Sequence, residues 1–335
     1  MVDFCRLFEL GHLGSQLINS YELSNEEPDN MNILIAGASG FIGQELVMAL
    51  EKQHKITVLG RNAQKLKSHF SKAIDQIDWD HLSTLKATGF DAIINLCGYN
   101  IASARWNIKV KEQLIQSRVS TNEKLLNWLI TKNAKPHFIC ANAVGIYGLQ
   151  ANGDPTELHE DSPIDFMHPQ DFLSEIGIRW QESLSKAAEH GIPVTTTRFG
   201  VVLKKGQGVL KKLYPSFFMG MGSVLGDGQQ VISWVHITDV IAALLFLLNR
   251  PELTGAFNIT SPNPVNQAQF AHLLAQALHR PLFLKMPKWI ISALLGEMGD
   301  ALLLKGQRVV PKRLLEEGYS FIFPQCANAL SQEFQ

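Results

Sequence analysis

MNILIAGASGFIG, residues Met31 to Gly43, is the stretch that decides the fold. Ile33 to Ala36 is a short apolar run of the kind that forms a strand buried on both faces. Gly37, Gly40 and Gly43 follow at G-x-x-G-x-x-G spacing, and Ile42, Leu46 and Leu50 then recur on one helical face. Strand, glycine turn and helix in that order form the setting in which a backbone cradles a dinucleotide diphosphate. The first glycine permits the sharp turn, and the second lets the backbone approach the phosphates over the helix N-terminus. The third lets helix and strand pack closely. On this reading Gly37, Ser39, Gly40, Phe41, Ile42 and Gly43 bind a cofactor. The alternative is an ordinary β–α turn that is rich in glycine.

Outward from this turn, strands and helices alternate. Strands are expected at Ile56–Leu59, Ile77–Trp79, Asp91–Leu96, His137–Ala141 and Val194–Arg198, and helices at Ala63–Phe70, Lys109–Thr131 and Asp171–Glu189. Such alternation predicts an α/β fold, a doubly wound parallel sheet of Rossmann-like type. After about residue 200 the rhythm loosens. Glycines cluster from Gly206 to Gly228, an arm that reads either as a flap over a pocket or as a connector. A helix from about Val240 to Asn249, a strand at Ala256–Thr260 and an amphipathic stretch at Gln267–Leu278 follow. The expected division is an extension or mis-called start over residues 1–30 and a nucleotide domain over 31–250. A smaller C-terminal α+β substrate lobe over 251–330 completes it, with part of the chain beyond 200 returning to the main sheet.

The chain of 335 residues is long enough for this plan, with 46% hydrophobic and 18% charged residues. A net charge of −1 argues against nucleic acid as the dominant partner. The four cysteines, Cys5, Cys97, Cys140 and Cys326, contain no C-x-x-C pair, so neither a metal site nor a disulfide framework is expected. Reduced thiols in a cytoplasmic protein are the simpler reading. The longest apolar run, Val240 to Leu248, is too short to span a bilayer. Trp289 to Leu304 is longer but contains Glu297 and Asp300. No membrane partner is therefore expected, and a homodimer is left open.

The end of the second strand chooses between the two nicotinamide coenzymes. An acidic residue there bonds the ribose 2′-hydroxyl and repels a 2′-phosphate. Here the sequence is VLGRN, which offers Gly60 and Arg61 instead. A guanidinium suits phosphate through its planar fork, so NADP(H) is the expected cofactor. Leu96, Cys97 and Gly98 close the fourth strand at the edge that would face it.

GASGFIG, GRN, INLCGYNIA with Arg105 and Trp106, and ANAVGIYG together resemble the extended short-chain dehydrogenase/reductase, or NAD-dependent epimerase/dehydratase, superfamily. QSR (Gln116–Arg118), SWVHITD (Ser233–Asp239), GAFNITSPNPV, ALHRP (Ala277–Pro281) and GQRVVPKRLLEEGYSF (Gly306–Phe321) narrow the resemblance. The chain is similar, over about residues 31–330, to atypical YfcH-like epimerase proteins with a C-terminal domain of unknown function. The resemblance implies a Rossmann-like domain, bound NADP(H), a substrate lobe and a small-molecule substrate.

Active members of that superfamily use a Ser or Thr after the fifth strand and a Tyr-x-x-x-Lys on the next helix. The Tyr exchanges a proton with the substrate oxygen while a Lys ammonium lowers its pKa. This chain departs from both patterns. Aligned on ANAVGIYG, the Ser position falls on Asn142, whose amide can still orient an oxygen. The helix reads DFLSEIGIRWQESLSKA and holds no tyrosine. Tyr147 is the candidate replacement acid, with packing beneath the site as the equal alternative. His236 is a weaker candidate, expected on one strand face with Trp234 and Thr238. Arg118 and Arg198 suit anions or internal carboxylates, and Glu175 and Glu182 suit a base or a solvated helix face. The expected function is an NADP(H)-dependent, epimerase-like oxidoreductase acting by hydride transfer on a small carbonyl or hydroxyl compound. The alternative is an NADP(H)-binding sensor without turnover.

Overall fold

The apolar runs beginning at Asn32, Ala92 and His137 have the central positions of one sheet, because both of their faces are covered. The computed structural model describes residues 30–335; the extension expected over 1–30 lies, apart from Asn30, outside the described residues. The first half of the chain runs β1 (Asn32–Ala36), α1 (Phe41–Leu50), β2 (Lys55–Gly60), α2 (Ala63–Leu66), β3 (Asp75–Asp78), β4 (Ala92–Asn95), α3 (Ile108–Thr131), β5 (His137–Ala143), α4 (Phe172–Glu182), α5 (Ser185–Glu189) and β6 (Val194–Phe199). The second half continues with β7 (Val201–Leu203), α6 (Gly208–Phe218), β8 (Ser223–Leu225), β9 (Val231–Ile232), β10 (Trp234–His236), α7 (Ile237–Leu248), β11 (Gly255–Ile259), β12 (Val265–Asn266), α8 (Gln267–Ala277), β13 (Leu284–Met286), α9 (Lys288–Leu295), α10 (Glu297–Leu303), α11 (Lys312–Glu316) and α12 (Cys326–Phe334).

Seven parallel strands form the main sheet in the order β11-β6-β5-β4-β1-β2-β3. The chain works outward from β1 to β3 and then crosses back to β4, so the order reverses between β1 and β4. That reversal opens a crevice at the carboxyl ends of the two strands. Helix α1 packs on α7, and α3 on α4. The strand expected at Ala256–Thr260 is β11, which pairs with β6, so the chain re-enters the main sheet after residue 250.

Three local expectations shift. The third strand ends at Asp78 rather than Trp79, because the Asp78 side chain accepts the His81 N–H and caps a 3-10 helix from Trp79. The helix expected over Ala63–Phe70 is a single turn, α2. The helix expected over Asp171–Glu189 is two: Ser183 turns its hydroxyl back onto the Trp180 carbonyl and accepts from Asn122. Such back-bonding competes with the helical ladder. Asp171 caps α4 through a capping box with Ser174.

The arm from Gly206 to Gly228 is structured. It holds α6 and β8, and β8 pairs in parallel with β13. Leu203, Leu210, Phe217, Trp234, Phe270, Leu274 and Leu330 form a second core beneath it. The C-terminal stretch is stapled to the main body at two places. At Gly306 an ideal Cβ would stand 1.9 Å from the Val231 carbonyl oxygen, so the chain passes there only without a side chain. The Ser233 hydroxyl then donates to the Gln307 carbonyl and accepts the Val309 N–H. The second staple is Asp239 on α7, fully buried, whose carboxylate accepts from the Tyr319 hydroxyl and the Ile322 and Phe323 N–H groups. Burial pushes its pKa up, and those donors pull against that rise. Asp239→Ala leaves the Ile322 and Phe323 N–H groups without that acceptor, while the Tyr319 hydroxyl keeps only the Asp239 main-chain carbonyl of its two Asp239 acceptors. We expect it to lower the unfolding free energy by on the order of 3 kcal/mol in chemical denaturation.

Candidate functional site

Gly37 leaves β1 with φ +81°, a conformation that favours glycine. An ideal Cβ there would stand 2.7 Å from the Leu96 carbonyl carbon and 2.8 Å from the Cys97 nitrogen. Backbone therefore lies against backbone where β1 and β4 end. Gly43 makes the second close approach, with an ideal Cβ 2.6 Å from Ala38 Cα, so α1 sits tightly on the turn. Gly40 is the N-cap of α1, and its N–H donates to the Gly37 carbonyl at 3.0 Å. The first turn at Phe41, Ile42 and Gly43 has no acidic side chain. Amides that start a helix lack intrahelical acceptors and favour an anion. These residues fit a dinucleotide diphosphate: free helix-start amides face no acidic side chain, and at Gly37 and Gly43 a Cβ would block the backbone approaches that shape the turn.

Beside the turn lies a cavity of about 340 Å³ lined by Ser39, Arg61, Asn62, Leu66 and His69. Arg61 is exposed just beyond β2 and has no carboxylate within ion-pair distance among the described residues. Burial pushes the Cys97 thiol up to about 12, against the pull of the Arg61 charge. The predicted cofactor residues Gly37, Ser39, Gly40, Phe41, Ile42, Gly43, Arg61, Leu96 and Cys97 thus surround one crevice. Gly98 is exposed at its edge, and the space its missing side chain leaves is taken on one side by Arg118.

The predicted catalytic residues are placed differently, each with its polar atoms engaged inside the fold. Asn142 is buried; its Nδ2 donates to the Gly177 carbonyl at 3.0 Å, and its Oδ1 accepts the Ala143 N–H. The exposed residue at the end of β5 is Ala143. Strand alternation turns Asn142 toward α4 and leaves the Ala143 methyl group exposed. Tyr147 is 7% exposed, donates to Asn258 Oδ1 at 2.9 Å and accepts from Arg198 Nη1 at 2.8 Å. Burial pushes its pKa above the ordinary 10, outweighing the pull of Arg198, whereas a proton-transferring Tyr needs the opposite shift.

His236 closes β10 and is the N-cap of α7, its Nδ1 accepting the Thr238 N–H at 3.2 Å. The strand face expected for Trp234, His236 and Thr238 therefore ends at His236. Its Nε2 meets Glu333 of α12 at 2.9 Å. Arg198 is buried against the Tyr147 ring. Glu175 pairs with Arg179 on the surface of α4, and Glu182 is exposed. Sequence reasoning missed Ala143, because a motif alignment does not say which residue of a strand faces outward. It also missed the partners of Tyr147, which lie on distant strands.

Residues 33–260 match the family model described as NAD dependent epimerase/dehydratase family, and residues 286–333 match a domain of unknown function, DUF1731. The chain belongs to the NAD-dependent epimerase/dehydratase family. Among its relatives, the epimerase family protein YfhF of Bacillus subtilis is 32% identical over 90% of this chain and 97% of its own length. The epimerase family protein SDR39U1 of Bos taurus is 32% identical over 90% of this chain and 99% of its own. The crystal structure of human SDR39U1 with NADPH superposes with a TM-score of 0.80 at 29% identity, covering 90% of this chain and 98% of that one. The UDP-glucose 4-epimerase of Thermus thermophilus, crystallised with NAD, shares the fold at 17% identity and a TM-score of 0.70.

Two outcomes follow from the sealed groups. Tyr147→Phe removes the hydroxyl that joins Arg198 to Asn258, and is expected to cost about 1–3 kcal/mol of unfolding free energy in urea titration. The second concerns Glu333. Burial alone would raise its pKa, but the His236 hydrogen bond, the Lys205 N–H and the Lys204 charge hold it below the ordinary 4.5. A carboxylate held low in the fold stabilises it above that pH, and the contribution is lost as pH falls through the folded pKa. Glu333→Gln should therefore melt below the wild type at neutral pH, with the gap closing as the pH drops under 4.5.

Proposed function

We propose that the chain binds NADP(H) in this crevice and acts as an epimerase-like oxidoreductase on a small carbonyl or hydroxyl substrate. The observation that carries the reading is the cavity beside the glycine turn, lined by Ser39 of that turn and by Arg61 just beyond β2. In this reading the amides of Phe41, Ile42 and Gly43 hold the diphosphate, and the Arg61 guanidinium with the Ser39 hydroxyl holds the 2′-phosphate. No acidic residue stands at the end of β2 to repel that phosphate. The NADPH bound by human SDR39U1, 29% identical across nearly its whole chain, supports the same choice. When bound, the nicotinamide supplies or accepts a hydride. The exposed end of β5 at Ala143 offers an apolar contact to whatever lies against it. A reducing compartment such as the cytoplasm is part of this reading, since Cys97, Cys140 and Cys326 are free thiols. Among the described residues no helix is long and apolar enough to cross a membrane.

A second reading, an NADP(H)-binding sensor without turnover, is favoured by one observation. Asn142, Tyr147 and His236 all spend their polar atoms on the fold, and α4 carries no tyrosine. Incubating the NADPH-loaded protein with aldehydes, quinones and keto-sugars separates the two: consumption above background supports the enzyme, and tight binding without consumption supports the sensor. For the cofactor itself, Arg61→Ala is expected to weaken NADPH by about 10- to 100-fold while leaving NADH nearly unchanged. Equal losses for both nucleotides in fluorescence titration would overturn the 2′-phosphate assignment.

A further inference from the structure

Midway along α3, the Arg118 guanidinium lies over the Trp180 ring, with Cζ 4.9 Å from its centroid. Nη1 donates to the Leu114 carbonyl at 2.8 Å and grazes the Ser117 hydroxyl at 3.5 Å. Nε is sealed from solvent and has no hydrogen-bond partner among the described residues. Nη2 has no acceptor among the described residues, and it is one of the atoms that crowd Gly98: an ideal Cβ there would stand 3.2 Å from Cζ and 3.3 Å from Nη2. No described carboxylate lies within 4.0 Å of this arginine. Burial pushes its pKa down to about 10.

A guanidinium offers five N–H donors, and enclosing its charge without a counter-charge is costly. Arg198 and Arg308 also have a sealed Nε. Arg198 is buried and donates to Tyr147, on whose network the Glu160 carboxylate also lies. Arg118 differs because its neighbour Gly98 is exposed at the crevice. Gly98 follows Leu96 and Cys97, which touch the glycine turn. The unsatisfied edge of Arg118 therefore stands at the carboxyl end of β4, between the diphosphate cradle and the end of β5.

We propose that Arg118 is an anion-binding residue of the crevice, taking a phosphate or carboxylate oxygen of a bound ligand through its Nη2 edge. The planar fork suits either oxyanion. The anion comes from the diphosphate common to NADPH and NADH, or from an acidic substrate. The inference rests on the crevice being the nucleotide site.

The test compares the full-length wild type with Arg118→Met and Arg118→Lys, using fluorescence titration of NADPH and NADH. Thermal shift is measured with inorganic phosphate and with malonate, each with and without saturating NADPH. If the cofactor supplies the anion, Arg118→Met weakens NADPH and NADH in parallel by about 10- to 100-fold, and Arg118→Lys recovers part of the loss. That parallel loss differs from the NADPH-selective loss expected for Arg61→Ala. If the substrate supplies it, nucleotide affinity is unchanged, and phosphate or malonate raises the melting temperature of the NADPH-loaded wild type but not of Arg118→Met. In either case Arg118→Met should melt no lower than the wild type without ligand, because an unpaired charge has been removed. Gly98→Ala, which sets a methyl 3.2 Å from Cζ, is the second variant should Arg118→Met not fold, and is expected to weaken the same ligand by a smaller factor. Wild-type affinity for both nucleotides in the variants, together with anion shifts identical to the wild type, would overturn the proposal. A wild type that binds neither nucleotide would overturn the nucleotide reading instead, and Arg118 would then be judged by the anion shifts of the nucleotide-free protein.

Discussion

The approach of Gly37 to the backbone of Leu96 and Cys97 is the constraint on which the crevice depends. The distances of 2.7 and 2.8 Å from an ideal Cβ leave no room for any side chain between the ends of β1 and β4. Because the strand order reverses between these two strands, that contact closes the floor of the crevice and aims the start of α1 across it. Gly43 holds α1 in place by a second backbone approach. The resulting surface is lined by main-chain amides, whose positions are set by the sheet and not by rotamers.

Around this rigid floor, charge is distributed unevenly. Arg61 is exposed at one side, and Arg118 is half-buried at the other, each without a carboxylate among the described residues. The polar groups that sequence motifs singled out for proton transfer are instead used to join elements. Tyr147 links the end of β5 to β6 and β11 through Arg198 and Asn258, and Asn258 also donates to the Val310 carbonyl. The hydroxyl of Tyr147 and the imidazole of His236 are thus satisfied inside the fold, whereas neither Arg61 nor Arg118 has a carboxylate partner among the described residues.

The C-terminal region is bonded into the main body. Its 306–310 stretch crosses the main body through the gap at Val231 and is bonded to Ser233, Asn258 and Thr260. Its last helix reaches His236 through Glu333. Lys111 near the start of α3 pairs with Glu297, the first residue of α10. These contacts explain why the chain beyond residue 250 alternates between the central sheet and the smaller cores instead of folding apart.

By itself the sequence determined the strand–glycine turn–helix unit, the parallel sheet and the absence of an acidic residue after β2. These are local: the sign of φ at Gly37, the apolar run before it and the helical period after it are set by residues within one short stretch. The sequence was less informative wherever a side chain's partner is remote. Tyr147 and Asn258 are 111 positions apart, and His236 and Glu333 are 97 apart. That Asn142 points inward and Ala143 outward follows from one step of strand alternation, with the Asn142 amide donating to the Gly177 carbonyl of α4. Tertiary structure alone decided which polar groups are consumed by the fold and which, like Arg118, are left with donors unsatisfied. The physical reason is that hydrogen-bond partnership depends on which elements meet in space, and periodicity along the chain does not encode that.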